Sequence, residues 1–130
     1  MDYQKQETIT HYEDHADRLD RDTLVAMLKA LSDPTRLSIF DLLMEGVQCN
    51  CEIAERLDLS LSLISHHIRV LRQVGLVEAE RDASDARWIY YSVHRETLAI
   101  LSTELERLLD VRRIQPRLPS CGPDRCAPKE

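Results

Sequence analysis

Between Asn50 and Val93 the spacing of apolar residues changes twice, and this constrains the fold more than any other feature. Ile53, Ala54 and Leu57 keep helical spacing over a short stretch, Asn50–Leu57. Asp58-Leu59-Ser60 has the composition of a turn, and a second helical stripe follows with Ile64, Ile68 and Leu71, ending at Gly75. From Val77 the pattern is that of strands. Val77–Arg81 and Trp88–Val93 are rich in Val, Ile, Tyr and Trp, with polar residues 82–87 between them as a hairpin tip. A short helix, a three-residue turn, a longer helix and a hairpin describe a winged helix-turn-helix. The alternative is a plain helical hairpin whose polar face is merely solvated.

The flanking segments fit the first description. Leu24, Met27, Leu28 and Leu31 follow i, i+3, i+4, i+7, and Asp33 with Pro34 marks the cap and first position of a second helix. Leu37, Phe40 and Leu43 are expected to line that helix, and Gly46 to stop it. A last helix is expected over Arg95–Arg112, with Leu98, Leu101, Leu105, Leu108 and Leu109 on one stripe before Pro116 and Pro119. With 3 glycines in 130 residues and 5% aromatics, turn-rich barrels and sandwiches are disfavoured. The expected class is mainly α with a small β-hairpin. Residues 1–22, with seven acids and three bases, form an N-terminal arm; residues 23–112 form the domain and 113–130 a tail.

The net charge of −6 argues against a polybasic coat for nucleic acid. Yet no Asp or Glu occurs from Leu59 through Leu76, so the second helix of the pair is locally cationic. Its polar residues are Ser62, Ser65, His66, His67, Arg69 and Arg72, and local sign is what phosphate contact requires. No apolar run is long enough to span a membrane, and residues 1–10 lack the apolar stretch of a secretory signal, so a soluble cytoplasmic protein is expected. There is no Cys-x-x-Cys after a strand, no phosphate-cradling glycine loop and no nucleophile–base pair at suggestive spacing. An enzyme is therefore not expected.

Leu31-Ser32-Asp33-Pro34-Thr35-Arg36-Leu37, Ser65-His66-His67-Ile68-Arg69-Val70-Leu71-Arg72, Gly75-Leu76-Val77 and Arg87-Trp88-Ile89-Tyr90-Tyr91 occur in that order. Together they resemble the ArsR–SmtB family of metal- and metalloid-responsive repressors, over about half of the chain. The resemblance implies a homodimer joined through its first and last helices, bound to double-stranded operator DNA until an inducer lowers its affinity. It implies Ser62, Ser65, His66, His67 and Arg69 as groove-facing positions, with Arg72 and the wing's Arg87 among the DNA contacts. Leu61 and Leu63 depart from the family, in which these positions are often polar. Neither can hydrogen-bond a base, though either can touch a thymine methyl.

The four cysteines form two close pairs, Cys49/Cys51 and Cys121/Cys126, and in a cytoplasmic chain they are expected to be thiols. Within a regular helix, residues i and i+2 point about 200° apart. At a helix start, Cys49 can lie in the extended turn while Cys51 lies in the first turn, so the two can converge on one ion. The resemblance makes this Cys-x-Cys the inducer site; the alternative is two small core residues. A thiolate pair selects soft acceptors such as As(III), Sb(III), Cd(II), Pb(II), Zn(II) or Cu(I), and further sulfurs are expected from Cys121 and Cys126. For the tail, the alternatives are a disordered end with incidental cysteines or a reversible local disulfide. The family's other site, on the last helix, would fall at Arg95, Thr97, Leu108 and Val111, none a useful zinc ligand. His11, His15 and His94 are expected to be solvated. The leading expectation is a resistance-operon repressor released by As(III) or Sb(III). The alternatives are the same fold sensing Cd(II), Pb(II) or Zn(II), or a thiol redox or persulfide switch.

Overall fold

The computed structural model describes residues 18–117 together with residues 122 and 123. In chain order the elements are α1 (Arg21–Leu31), α2 (Pro34–Glu45), β1 (Gln48–Cys49), α3 (Asn50–Leu57), α4 (Leu61–Gln73), β2 (Val77–Arg81), β3 (Ile89–Val93) and α5 (Arg95–Leu108). A single 3₁₀ turn, Val111–Arg113, follows.

Local chemistry fixes where the helices begin. Asp20 accepts the Thr23 N–H at 2.7 Å, and Asp33 accepts the Arg36 N–H at 3.0 Å with Pro34 at the first helical position. Ser60 accepts the Leu63 N–H at 3.1 Å and starts α4. The turn from α3 to α4 passes through Asp58 at φ 53°, a left-handed conformation that Asp tolerates better than most side chains. Gly75, at φ 81°, closes α4 where a side chain would be strained. Ser60→Ala should remove one cap and cost about 1 kcal/mol. In a domain of this size that lowers Tm by roughly 4–8 °C, readable in a circular-dichroism melt. An unchanged Tm would mean that water replaces the cap at no cost.

The core draws residues from all five helices and from the sheet. Ile39, Ile53, Ile64, Ile68, Leu71 and Leu76 are fully buried there, with Met27, Leu43, Val77 and Leu101 around them. Two expectations about this core need correction. In α2 the inward residues are Ile39, Leu42 and Leu43, whereas Leu37 is exposed and Phe40 half-buried. Apolar side chains surround most of the α2 circumference, so its period cannot select a face. The wing is also more than a hairpin. The sheet has three antiparallel strands in the order β1-β3-β2, with Gln48 opposite Tyr91 and Cys49 opposite Tyr90. β1 uses backbone groups of β3 that a two-stranded wing would leave at an open edge.

The first helix begins at Arg21, two residues before Thr23. The last ends at Leu108, short of Arg112, because Asp110 starts the 3₁₀ turn by accepting the Arg112 N–H at 2.9 Å. Leu108, Leu109, Val111 and Ile114 stand exposed near this end.

Candidate functional site

α3 and α4 pack against each other across the Asp58–Ser60 turn, and α4 carries its apolar stripe inward. Ser62, His66, Arg69 and Arg72 are exposed on the opposite side and Ser65 is half-buried beside them. His67 is not part of that face. It is 8% exposed and completes the inward stripe of Ile64, Ile68 and Leu71. His67 lies three residues after Ile64 and four before Leu71, so the helical period places it on the buried stripe, whereas His66, about 100° round the helix, is exposed.

His67 has a different partner. The Arg36 guanidinium lies 3.1 Å from His67 Nδ1 through Nη1, and its Nε donates to the Ala30 carbonyl at 2.6 Å. A guanidinium only donates, so Nδ1 accepts and the other ring nitrogen carries the proton. Burial holds the His67 pKa below the ordinary histidine value against the opposing pull of Asp33, and the positive Arg36 lowers it further. One arginine thus ties the end of α1 to the inner side of α4.

The wing tip is also built. The Asp82 carboxylate accepts the Ser84 N–H at 3.0 Å, its hydroxyl at 2.7 Å and the Asp85 N–H at 2.9 Å. Arg87 lies open to solvent but is held by Asp85 through Nε at 3.0 Å and Nη2 at 2.8 Å. An ion pair this exposed contributes little stability; it sets where the guanidinium stands.

Cys49 and Cys51 occupy the two conformations anticipated for them. Cys49 is extended at φ −84°, ψ 163°, and precedes α3 as its cap, while Cys51 lies in the first turn. Both are free thiols, Cys49 buried and Cys51 exposed. The Glu52 carboxylate accepts the Cys49 N–H at 3.0 Å. Burial raises the Cys49 thiol above its ordinary value, so an ion binding there must displace a proton. Cys51 opens onto a cavity of about 370 Å³ lined also by Asn50, Arg87, Trp88, Ile89 and Tyr91, which brings the cysteine loop beside the wing.

Cys121 and Cys126, and likewise His11 and His15, lie outside the described residues. Among the described residues no cluster of three or more His, Cys, Asp or Glu is placed to hold a metal ion. His94 is not simply solvated: its Nδ1 accepts the Thr97 N–H at 3.2 Å and caps α5. Histidine is not among the residues ordinarily read as a helix cap, so the sequence carried no signal for that role.

A helix-turn-helix whose second helix presents an acid-free outward face, with an ordered wing beside it, defines the winged-helix class of DNA-binding regulators. Residues 33–79 match the family model described as "Bacterial regulatory protein, arsR family". The chain is 39% identical over 72 residues to the transcriptional repressor SdpR of Bacillus subtilis (strain 168), covering 55% of this chain and 77% of that one. It is 34% identical to the arsenical resistance operon repressor of Staphylococcus xylosus, over 64% of this chain and 77% of the other. An ArsR-like transcriptional regulator from Rhodococcus sp. RHA1 superposes with a TM-score of 0.60 at 32% identity, over 67% and 79% of the two chains.

The chain belongs to the arsR family of bacterial regulatory proteins. Fold and family together make it a DNA-binding transcriptional repressor. Among the described residues no helix is long and apolar enough to cross a membrane.

Proposed function

We propose that the chain binds its operator as a homodimer, represses a resistance operon, and leaves the DNA when As(III) or Sb(III) is taken up by cysteine thiolates. The observation that carries this reading is the placement of Cys49 and Cys51 on either side of the start of α3, the supporting helix of the DNA-reading pair. Sulfur donors there select soft ions, and a change at the start of α3 acts on α4 through their shared packing. The similarity to an arsenical resistance operon repressor supports As(III) among the soft ions. Cys121 or Cys126 supplies the third sulfur that As(III) takes. Ser62, Ser65, His66, Arg69, Arg72 and the wing's Arg87 make the DNA contacts.

The partner is a second copy. A cavity of about 640 Å³ between α1, α2 and α5 is lined by Leu31, Phe40, Leu98, Leu101, Leu105 and Leu109. Leu108 of α5 is also exposed. Ser102, Glu106, Asp110 and Arg112 complete the cavity lining, and an exposed apolar patch bordered by polar residues is the usual form of a protein–protein contact surface. Dimeric binding then sets paired half-sites about one helical turn apart on one side of the duplex.

The test is a titration of the reduced protein–operator complex with As(III), Cd(II), Pb(II) and Zn(II) in turn, followed by fluorescence anisotropy. As(III) should release the DNA at the lowest concentration. A chain truncated after Pro119 should bind operator normally and need at least tenfold more As(III). Release by Cd(II) or Zn(II) at lower concentration than As(III) would overturn the choice of ion. Wild-type As(III) sensitivity in the truncated chain would remove the tail from the site.

A further inference from the structure

Leu61 and Leu63 are 49% and 39% exposed, although they stand in the first turn of the helix that reads DNA. Neither is needed by the core, which α4 reaches through Ile64, Ile68 and Leu71. In a helix-turn-helix the N-terminal residues of the second helix come closest to the base edges. The major groove presents donors, acceptors and a single apolar group, the C5 methyl of thymine. A leucine brought against donors and acceptors desolvates them without replacing their hydrogen bonds, whereas against a methyl it gains burial.

We infer that Leu61 and Leu63 are specificity-determining residues that read thymine methyl groups, one on each strand of the operator half-site. This rests on the DNA-binding reading and deepens it. Two residues apart on a helix means about 200° around it, so the two leucines flank Ser62 on opposite sides and face opposite strands. The polar groups between and beyond them, Ser62, His66 and Arg69, are free to contact base edges and phosphate. Arg69 and Arg72 hold the helix on the backbone, while the leucines contribute discrimination that does not depend on salt. A methyl removed from water in this way is worth about a fourfold change in affinity.

The experiment starts from duplexes selected for binding to the reduced full-length chain from a random library. Each thymine is then replaced singly by deoxyuridine, which keeps the base pair and removes only the methyl. Two positions per half-site, one on each strand, should each lose about fourfold in wild-type affinity. Leu63→Ala should bind thymine and uracil duplexes equally at one of these positions, and Leu61→Ala at the other. Both variants keep the core residues and should retain the wild-type helical signal. Ser62→Ala, the comparison variant, should keep the full uracil penalty. Uracil tolerated everywhere by the wild type would overturn the methyl reading while leaving DNA binding intact. Selection that yields no preferred duplex would overturn the DNA-binding reading and this inference with it.

Discussion

Cys51→Ser should leave operator affinity within about twofold of wild type and remove release by As(III) altogether. Cys51 is exposed and in the first turn of α3, so a serine there disturbs neither the core nor the outward face of α4. An inducer weakens DNA binding only by the free energy with which it prefers the state that does not bind DNA. Removing a sulfur removes that preference and leaves the reading surface unchanged. Cys49→Ser should also abolish release, but with some loss of stability, since Cys49 is buried and its replacement is more polar. The measurement is operator anisotropy across an As(III) titration, with a melt of each variant. A Cys51→Ser protein that still releases DNA at the wild-type As(III) concentration would make the pair structural.

Arg36→Ala is the second large effect, and it falls on stability. The substitution leaves the Ala30 carbonyl and the buried His67 Nδ1 without their donor at one stroke. Hydrogen bonds from a charged donor to part-buried acceptors contribute about 1.5–3 kcal/mol each, and unpaired buried acceptors are costly. A loss of about 3 kcal/mol is expected, or roughly 12–24 °C in Tm. The same tie carries a pH signature. The folded state holds His67 below the ordinary histidine pKa, so the unfolded chain binds the proton more tightly. Stability is therefore intact above pH about 6.5 and falls as pH drops below it, until the lowered folded-state pKa is passed. Paired carboxylates such as Asp33 and Asp82 also have lowered pKa values but act at more acid pH, below about 4. His67→Gln keeps an acceptor without a titrating ring, so it should lose the decline between pH 7 and 5. Urea melts at those two pH values decide it: an equal decline in both proteins would mean that His67 does not titrate in this window.

Much of this architecture was legible because short, strong signals agree. Asp33-Pro34, the Asp58–Ser60 turn and the Val77–Arg81 run each combine a cap or turn residue with a change of period, and the elements begin there. The extended Cys49 and helical Cys51 were legible for the same reason, being tied to a helix start. His67 was misplaced on the outward face because a histidine was read as polar and therefore exposed. The stripe Ile64, His67, Ile68, Leu71 has the spacing i, i+3, i+4, i+7, so periodicity alone would have turned it inward. Its partner was not legible, because Arg36 is 31 residues away and belongs to another helix. β1 was missed because two residues cannot show alternation; only the open edge of β3 calls for them.

Cys49 belongs to two structures at once, which limits how it can move. Its backbone is paired with Tyr90 of the wing, and the same residue caps the helix that supports α4. A displacement of this one residue has two routes open to it. Either the short β1 ladder breaks, freeing the wing from the cysteine loop, or the ladder holds and the wing is dragged with the start of α3. In both cases the wing and the reading helix lose the relative setting at which a single duplex can meet them together. If the wing and α4 both grip DNA, as proposed, the two grips share a common anchor, and loosening it would release both.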